Sequence, residues 1–565
     1  MSELVTAEQG VEAVDRAVVD LLGAKACWHN TSLARRVSLL EACVVAVRGA
    51  AEHWVDLSCQ AKGIEPGSPT RSEEIAGGPL ATLRCLQLLA QSLRDVDRVG
   101  RPQLPGQPST DSDGRLRVPL CPVRQLYDGV IFSGFTCEAW IEAGVDREEL
   151  YRRQQRASDP RRQPPAVVTV LGAGNVSSIA VTDALGFIFQ RGAVVLLKLN
   201  PVNDYLASVF AEALAPLIEA GCLRIVRGAA EVGQRAVGHA DVDAVHVTGS
   251  ADTHDAIVWG PQGEERRRRL AENDPLLTKP ITSELGNVTP WIVVPGEYSE
   301  RELQFQAENV AAMIANNASF NCIAAKMIVT WRRWPQRERF LDLIEETLAG
   351  VPRRRAYYPG AADRFEAYSG RTLNDDERDR LPWTLIRDTA PESAPRLFGE
   401  ESFVCVSAET AVEAANDSEY LQRAVELAND QLWGTLGVGL MVHPNWRRSG
   451  DNQQRLDEAI ARLRYGAVAI NQWPGLVFAL MSPPWGGHPG GTLAEPQSGV
   501  GWVHNTYFLE GVEKSLLEGP LVVWPKPLWL PTHHTAEVLA WRVVDLYARP
   551  SMWKLPGIVL AALRG

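Results

Sequence analysis

Residues 167–201 read VVTVLGAGNVSSIAVTDALGFIFQRGAVVLLKLNP. Two short apolar runs, Val167–Leu171 and Val194–Leu199, flank a stretch of helical periodicity, Ser177–Gln190. The alternation continues with strands expected at Leu223–Val226 and Ala244–Thr248, and helices at Asp204–Ala220 and Ala230–His239. Apolar runs that alternate with helices predict a parallel sheet wrapped by helices. Such a sheet binds its ligand at the carboxyl ends of its strands. A second alternating region follows. Its expected strands are Trp291–Val294, Met327–Trp331, Phe403–Val406, Gly437–Val442 and Ala467–Asn471. Its expected helices lie near Glu300–Asn317, Pro335–Leu348, Ser418–Asn429 and Asp451–Leu463. The fold class expected is α/β, with two Rossmann-like parallel-sheet domains.

Upstream, residues from about Thr31 to Val96 read as helices, with apolar spacing such as Leu39, Leu40, Cys43 and Val47. Residues 100–120 are rich in Pro, Gly, Ser and Asp and read as a loop. Residues 146–165, with Arg147, Glu148, Arg152, Arg153, Arg161 and Arg162, read as an exposed excursion.

A chain of 565 residues is long enough for two or three domains. The net charge of −12 argues against general nucleic-acid binding. Nine cysteines are scattered without a CxxC pair, so neither a disulfide framework nor a zinc cluster is expected, and a reducing cytoplasm fits best. Met1–Gly10 carries Glu3 and Glu8 and lacks the pattern of a signal peptide. No apolar run reaches the roughly 18 residues of a membrane span.

Polar elements recur at strand ends. Gly174-Asn175 follows the first strand, Lys198-Leu199-Asn200-Pro201 the second, and Thr248-Gly249-Ser250 the fourth. Downstream stand Ser283-Glu284-Leu285-Gly286-Asn287 and Phe320-Asn321-Cys322, with Glu284 and Cys322 separated by 38 residues. Glu401-Ser402-Phe403, Gly466-Ala467-Val468-Ala469-Ile470-Asn471, Pro484-Trp485-Gly486-Gly487 and Ser498-Gly499-Val500-Gly501 follow in order. Together these motifs resemble the aldehyde dehydrogenase superfamily over the span Asn175 to Gly501.

The resemblance implies an aldehyde dehydrogenase-like fold with a small oligomerisation excursion. The expected cofactor-binding domain is 1–135 with 164–280, and the catalytic domain is 281–485. The expected oligomerisation segments are 136–163 and 502–525, and 526–565 is a C-terminal extension of unassigned role. The resemblance makes Cys322 the nucleophile, Glu284 the base that activates water, and Asn175 a donor to the oxyanion. Lys198 and Glu401 would hold ribose hydroxyls of NAD or NADP, with Phe403 beside Glu401 and with Gly249 and Ser250 near the pyrophosphate. The partners implied are an aldehyde and further copies in a homodimer or homotetramer. No metal is expected.

The chemistry suits these residue types. A thiolate is a strong nucleophile toward an aldehyde carbon. A carboxylate suits general-base work on water.

The chain also departs from the family pattern. Ala173-Gly174 precedes Asn175, as in the acyl-CoA reductase branch, so a thioester-linked, CoA-acylating reaction is the second reading. Pro201 stands three residues after Lys198, where an acidic side chain favours NAD; its absence leans toward NADP. Asn287 replaces a glycine. These substitutions, with the tryptophan-rich tail, keep open a third reading, a protein that retains the fold without the activity. Arg266–Arg269 reads as a solvated helix face.

Overall fold

The computed structural model describes residues 8–111, 113–159 and 162–565. Met1–Ala7, with Glu3, and Arg161 of the charged excursion lie outside the described residues.

Two sheets organise the chain. The first has seven strands in the order Glu8–Gln9, Leu223–Arg227, Val194–Lys198, Val167–Leu171, Ala244–Gly249, Ile281–Leu285 and Gly499–Val500. All pair in parallel except the last, which runs antiparallel to Ile281–Leu285. The inner strands are buried along nearly their whole length, as both faces of a helix-covered parallel sheet must be. After Val167–Leu171 the chain first adds strands on one side, then returns to add Ala244–Gly249 on the other. That reversal opens a crevice at the carboxyl ends of the two central strands.

The second sheet has ten strands. Its core is Val406–Val412, Ala325–Trp331, Thr289–Val293, Gly437–Met441 and Ala467–Ile470, all parallel. Strand Val512–Glu518 then pairs in parallel with Ala467–Ile470 and antiparallel with Thr136–Ile141. Leu116–Cys121 follows on Thr136–Ile141. The segments expected to serve oligomerisation therefore run as inner strands of the chain's own sheet.

Three expectations need correction. The stretch 100–120 is not all loop, because Leu116–Cys121 is a strand with alternating burial. The strand expected at Phe403–Val406 begins only at Val406. Phe403 has a φ of 46°, incompatible with a strand, and the Ser402 hydroxyl bonds the Val404 and Val406 carbonyls to hold a turn there. The helix expected at Asp204–Ala220 is three short pieces, Pro201–Leu206, Ala207–Ala213 and Ala215–Glu219; the last break falls where Pro216 has no N–H to continue the preceding turn.

Elsewhere the sequence signals act locally as written. Ser299 and Glu302 form a reciprocal capping box that starts helix Glu300–Ala315. Helix Glu264–Glu272 has no buried residue, and its Arg268 and Arg269 pair with Glu265, Glu272 and Asp274. Among the described residues no helix is long and apolar enough to cross a membrane.

Candidate active site

Glu284 lies near the end of strand Ile281–Leu285 and is buried. Its strand is clamped by the edge segment Gly499–Val500, with Gly499 opposite Glu284. A Cβ on Gly499 would overlap the Ser283 carbonyl, so this close pairing admits only glycine. The Ser498 hydroxyl donates to the Gly286 carbonyl at 2.8 Å and fixes the strand's exit.

Cys322 sits in a turn between the short helix Asn316–Ser319 and strand Ala325–Trp331. Its Sγ is 3.5 Å from Glu284 Oε1, which also accepts the Trp485 indole N–H at 3.3 Å. Burial pushes the Glu284 carboxyl up to about 8, with the buried Asp183 adding repulsion and the Trp485 and Cys322 hydrogen bonds acting against it. Burial, then Glu284 and Glu401, raise the Cys322 thiol well above its usual range. Both shifts favour the protonated forms. Of the nine free cysteines, Cys322 is half-buried, Cys27 is exposed and the others are buried, so Cys322 alone combines access with a neighbouring acid.

The turn before Cys322 is strained. Asn317, Ala318 and Ser319 all have positive φ, at 53°, 56° and 68°. A buried polar network holds them. The Lys62 ammonium donates to Glu74 at 2.9 Å, to Asn317 Oδ1 at 2.9 Å and to the Asn175 carbonyl at 3.0 Å. The Asn317 amide donates to the carbonyls of Asn175 and Phe320, at 3.1 and 2.9 Å. Asn175 is buried in the loop after Val167–Leu171, and its amide donates to the Phe320 carbonyl at 3.2 Å. Asn175 thus stands behind the Cys322 turn, with one amide N–H committed to that turn. Val176 and Ser177, rather than Asn175 itself, line the cavity above Cys322.

Lys62, Glu74, Asn317 and Trp485 are site residues that sequence reasoning did not select. Only Asn317 and Trp485 carried a signal, in the asparagine-rich approach to Cys322 and in Pro484-Trp485-Gly486-Gly487.

The other side of the site is differently made. Lys198 ends its strand and is buried, and its ammonium makes no hydrogen bond or ion pair with any described residue. Burial lowers its pKa, against attraction from Asp204 and Glu231. Gly249 and Ser250 lie exposed at the end of Ala244–Gly249, and Ser250 caps helix Ala251–Val258 by accepting the Thr253 N–H at 3.2 Å. Pro201 is exposed at the start of the short helix after Lys198.

Glu401, not Glu400, faces inward: Glu400 is exposed and held by Tyr368 and Arg396. The Glu401 carboxylate lies against Gly286, where a Cβ would overlap it, and its Oε1 is buried without a partner among the described residues. Burial raises Glu401 to about 7, opposed by the Lys326 ammonium. Phe403 packs into an aromatic group with Tyr358 and Phe320, the residue two before Cys322. It shapes the loop, while Glu401 presents the polar atoms.

A sequence profile described as the aldehyde dehydrogenase family matches residues 135–357. That segment holds Asn175, Lys198, Glu284 and Cys322. Over that segment the chain is similar to the aldehyde dehydrogenase family. Solved structures agree in fold. An indole-3-acetaldehyde dehydrogenase complexed with NAD+ superposes with a TM-score of 0.60 at 18% identity, over 90% of this chain and 89% of that one. The aldehyde dehydrogenase KauB from Pseudomonas aeruginosa gives a TM-score of 0.60 at 19% identity, over 90% and 89%. An NADP-dependent glyceraldehyde-3-phosphate dehydrogenase from Bacillus halodurans, complexed with NADP, gives 0.59 at 15% identity, over 90% and 91%. No curated protein matches the chain in sequence.

Within this fold, a cavity of about 170 Å³ opens over Cys322 and Glu284. Phe132, Trp473, Phe478, Trp485 and Trp529 are among its walls. The Trp473 indole donates to the Ile323 carbonyl at 3.0 Å, and Phe478 meets Trp485 edge-on with centroids 5.6 Å apart. Among the described residues no cluster of His, Cys, Asp and Glu is suited to hold a metal ion.

Proposed function

We propose that the protein oxidises an aldehyde to a carboxylic acid with NAD or NADP. The observation that carries this reading is the 3.5 Å contact of Cys322 Sγ with Glu284 in a cavity with several aromatic walls. The residues fit a dinucleotide: Lys198 is a buried cation without a partner among the described residues, and the buried Glu401 Oε1 is an acceptor without a donor. Such groups are costly to leave unpaired, and ribose hydroxyls satisfy both. Gly249 and Ser250, at an exposed helix start, suit a pyrophosphate. A bound nicotinamide dinucleotide supplies the hydride acceptor.

The chain's own residues do the rest. Ionised Glu284 takes the Cys322 thiol proton and passes it to solvent, and the thiolate adds to the aldehyde carbon. The backbone N–H of Cys322 meets the resulting oxyanion, and Asn175, behind the turn, helps hold that turn in place rather than donating to the oxyanion itself. One such donor is worth roughly 2.7–4 kcal/mol of barrier. Loss of hydride from the thiohemiacetal carbon leaves a thioester on Cys322. Glu284, once deprotonated, draws a proton from water, which attacks the thioester and releases the acid and the thiolate.

NAD and NADP both remain in the proposal. Pro201 removes the carboxylate expected three residues after Lys198, but Asp204 attracts Lys198 from the same short helix, which offsets the lean toward NADP. The resemblance implies a homodimer or homotetramer, with 136–163 and 502–525 as its oligomerisation segments. Both contribute strands to the chain's own sheet, and we propose that the chain completes its fold without a partner strand. A location in the cytoplasm stays with the cysteine pattern.

The test follows reduced-cofactor absorbance with an aldehyde panel, NAD or NADP, with and without CoA, for wild type and Cys322→Ser. Turnover without CoA that vanishes in the serine variant supports the proposal. Turnover that needs CoA replaces it with the acylating reading. No turnover in any mixture, with Cys322 verified reduced, refutes it and leaves a fold without this activity.

A further inference from the structure

The C-terminal segment beyond the shared motifs reaches the cavity. Leu528, Trp529 and Tyr547 line the same space as Cys322 and Glu284. Trp529 and Tyr547 are fixed from elsewhere in the chain. The Trp529 indole donates to Asn309 Oδ1 at 3.4 Å, and its ring meets Phe135 edge-on at 6.3 Å. Tyr547, at the end of helix Ala536–Ala548, is fully buried; its hydroxyl accepts from Arg84 at 2.8 Å and its carbonyl from Gln87 at 2.8 Å. Arg71 and Arg48 bind Glu537 and Asp545 of the same helix, at 2.9 and 2.8 Å. Such multiple anchoring marks a fixed wall.

The charges around the cavity are already spent on one another. Arg84 makes a bidentate pair with Asp128, both contacts 2.7 Å, and donates to the Leu480 carbonyl at 2.6 Å as well as to Tyr547. The Lys62 ammonium has its three N–H bonds engaged by Glu74, Asn317 and Asn175. Glu73 accepts from the Asn317 backbone N–H at 2.9 Å and pairs with Arg354. Among the described lining residues no cation is left to meet a carboxylate or a phosphate on a substrate. The remaining walls are mostly apolar, and a cavity of 170 Å³ compares with the roughly 150 Å³ that accepts a benzene ring.

We propose that residues 528–547 form the distal wall of the aldehyde pocket, and that this wall selects uncharged aldehydes bearing one compact apolar group, an aromatic ring fitting best. The selection rests on the reading of Cys322 as nucleophile; the wall itself does not. Trp529 and Leu528 act as specificity-determining residues, and Arg84 positions Tyr547.

The experiment compares wild type, Trp529→Ala and Leu528→Trp. Two quantities are read: kcat/KM for benzaldehyde, biphenyl-4-carboxaldehyde and succinate semialdehyde, and the calorimetric affinity of benzamide, which is inert. Wild type is expected to favour benzaldehyde over succinate semialdehyde by at least about 100-fold, since an unpaired charge enters an apolar pocket. Trp529→Ala is expected to raise the biphenyl-to-benzaldehyde ratio about tenfold, the scale of apolar pocket discrimination. Leu528→Trp, which fills rather than empties the space, is expected to weaken benzamide binding by a similar factor. Equal use of the charged aldehyde, or ratios and affinities unmoved by both substitutions, overturns the proposal. Aldehyde turnover with unmoved ratios and affinities defeats this inference alone. Benzamide binding that responds to both substitutions, in a protein that oxidises no aldehyde, defeats the catalytic reading and keeps the wall.

Discussion

The two sides of the site treat buried charge in opposite ways. On the side proposed to hold the cofactor, Lys198 and Glu401 Oε1 are held out of water without a full set of partners among the described residues. On the aldehyde side, Lys62 and Arg84 are buried at least as deeply, yet each is matched by a carboxylate and by further acceptors. A satisfied buried ion pair is scaffold, because removing one member leaves the other stranded. An unsatisfied one marks where a polar ligand is to arrive. The same burial therefore points to a sugar-and-phosphate ligand on one side and to an apolar substrate on the other.

Substitutions that separate these cases sharpen or break the comparison. The largest effect is expected for Arg84→Met, which strands Asp128. About 3–5 kcal/mol of stability is expected to go, read as a fall in the urea midpoint. A loss below about 1 kcal/mol would remove Arg84 from the scaffold.

Lys198→Met is expected to do the reverse. Burial lowers the Lys198 pKa, so the charged form costs the folded state, and the midpoint should hold or rise. Dinucleotide affinity should fall about 10–100-fold, the worth of a charge-assisted hydrogen bond. An unchanged affinity would move the cofactor elsewhere.

Smaller effects concern pH. Glu284 is raised to about 8, so its basic form, and with it thioester hydrolysis, should increase as pH rises through 8. Asp183→Asn removes a neighbouring negative charge and should shift that limb to lower pH. Trp485→Phe removes a donor to the carboxylate and should shift it higher, by about 0.5–1 unit for one hydrogen bond. Shifts of the same sign in both variants would contradict the assignment. The smallest effect concerns assembly: sedimentation velocity is expected to give a mass of 62 kDa, since the strands that would exchange between copies are paired at home.

Much of this was legible in the sequence. Period and spacing fixed the two parallel sheets, because buried parallel strands are continuous apolar runs, and Val167–Leu171 and Val194–Lys198 are that. Ordered motifs brought Glu284, Cys322, Lys198 and Glu401 into view. What stayed hidden depends on distant pairing. Lys62 reads as an ordinary cation in the last turn of a helix, and only the fold carries it to Asn317, 255 residues away. Arg84 reads as one polar residue in an amphipathic helix, and its partner Tyr547 lies 463 residues on. The tail's tryptophans had no periodicity to place them. Three consecutive positive φ values at Asn317–Ser319 likewise leave little trace in composition, since Ala318 and Ser319 are not residues that favour that region.

The central claim is that Cys322 carries the acyl group and Glu284 releases it. The most direct measurement is rapid mixing of Glu284→Gln with benzaldehyde and the dinucleotide, following reduced-cofactor absorbance and then the mass of the intact protein. The account expects a burst of no more than one equivalent of reduced cofactor, a stalled steady state, and an acyl adduct that maps to Cys322. Sustained turnover by Glu284→Gln at the wild-type rate without any thiol added, or an adduct that maps to another cysteine, would contradict it.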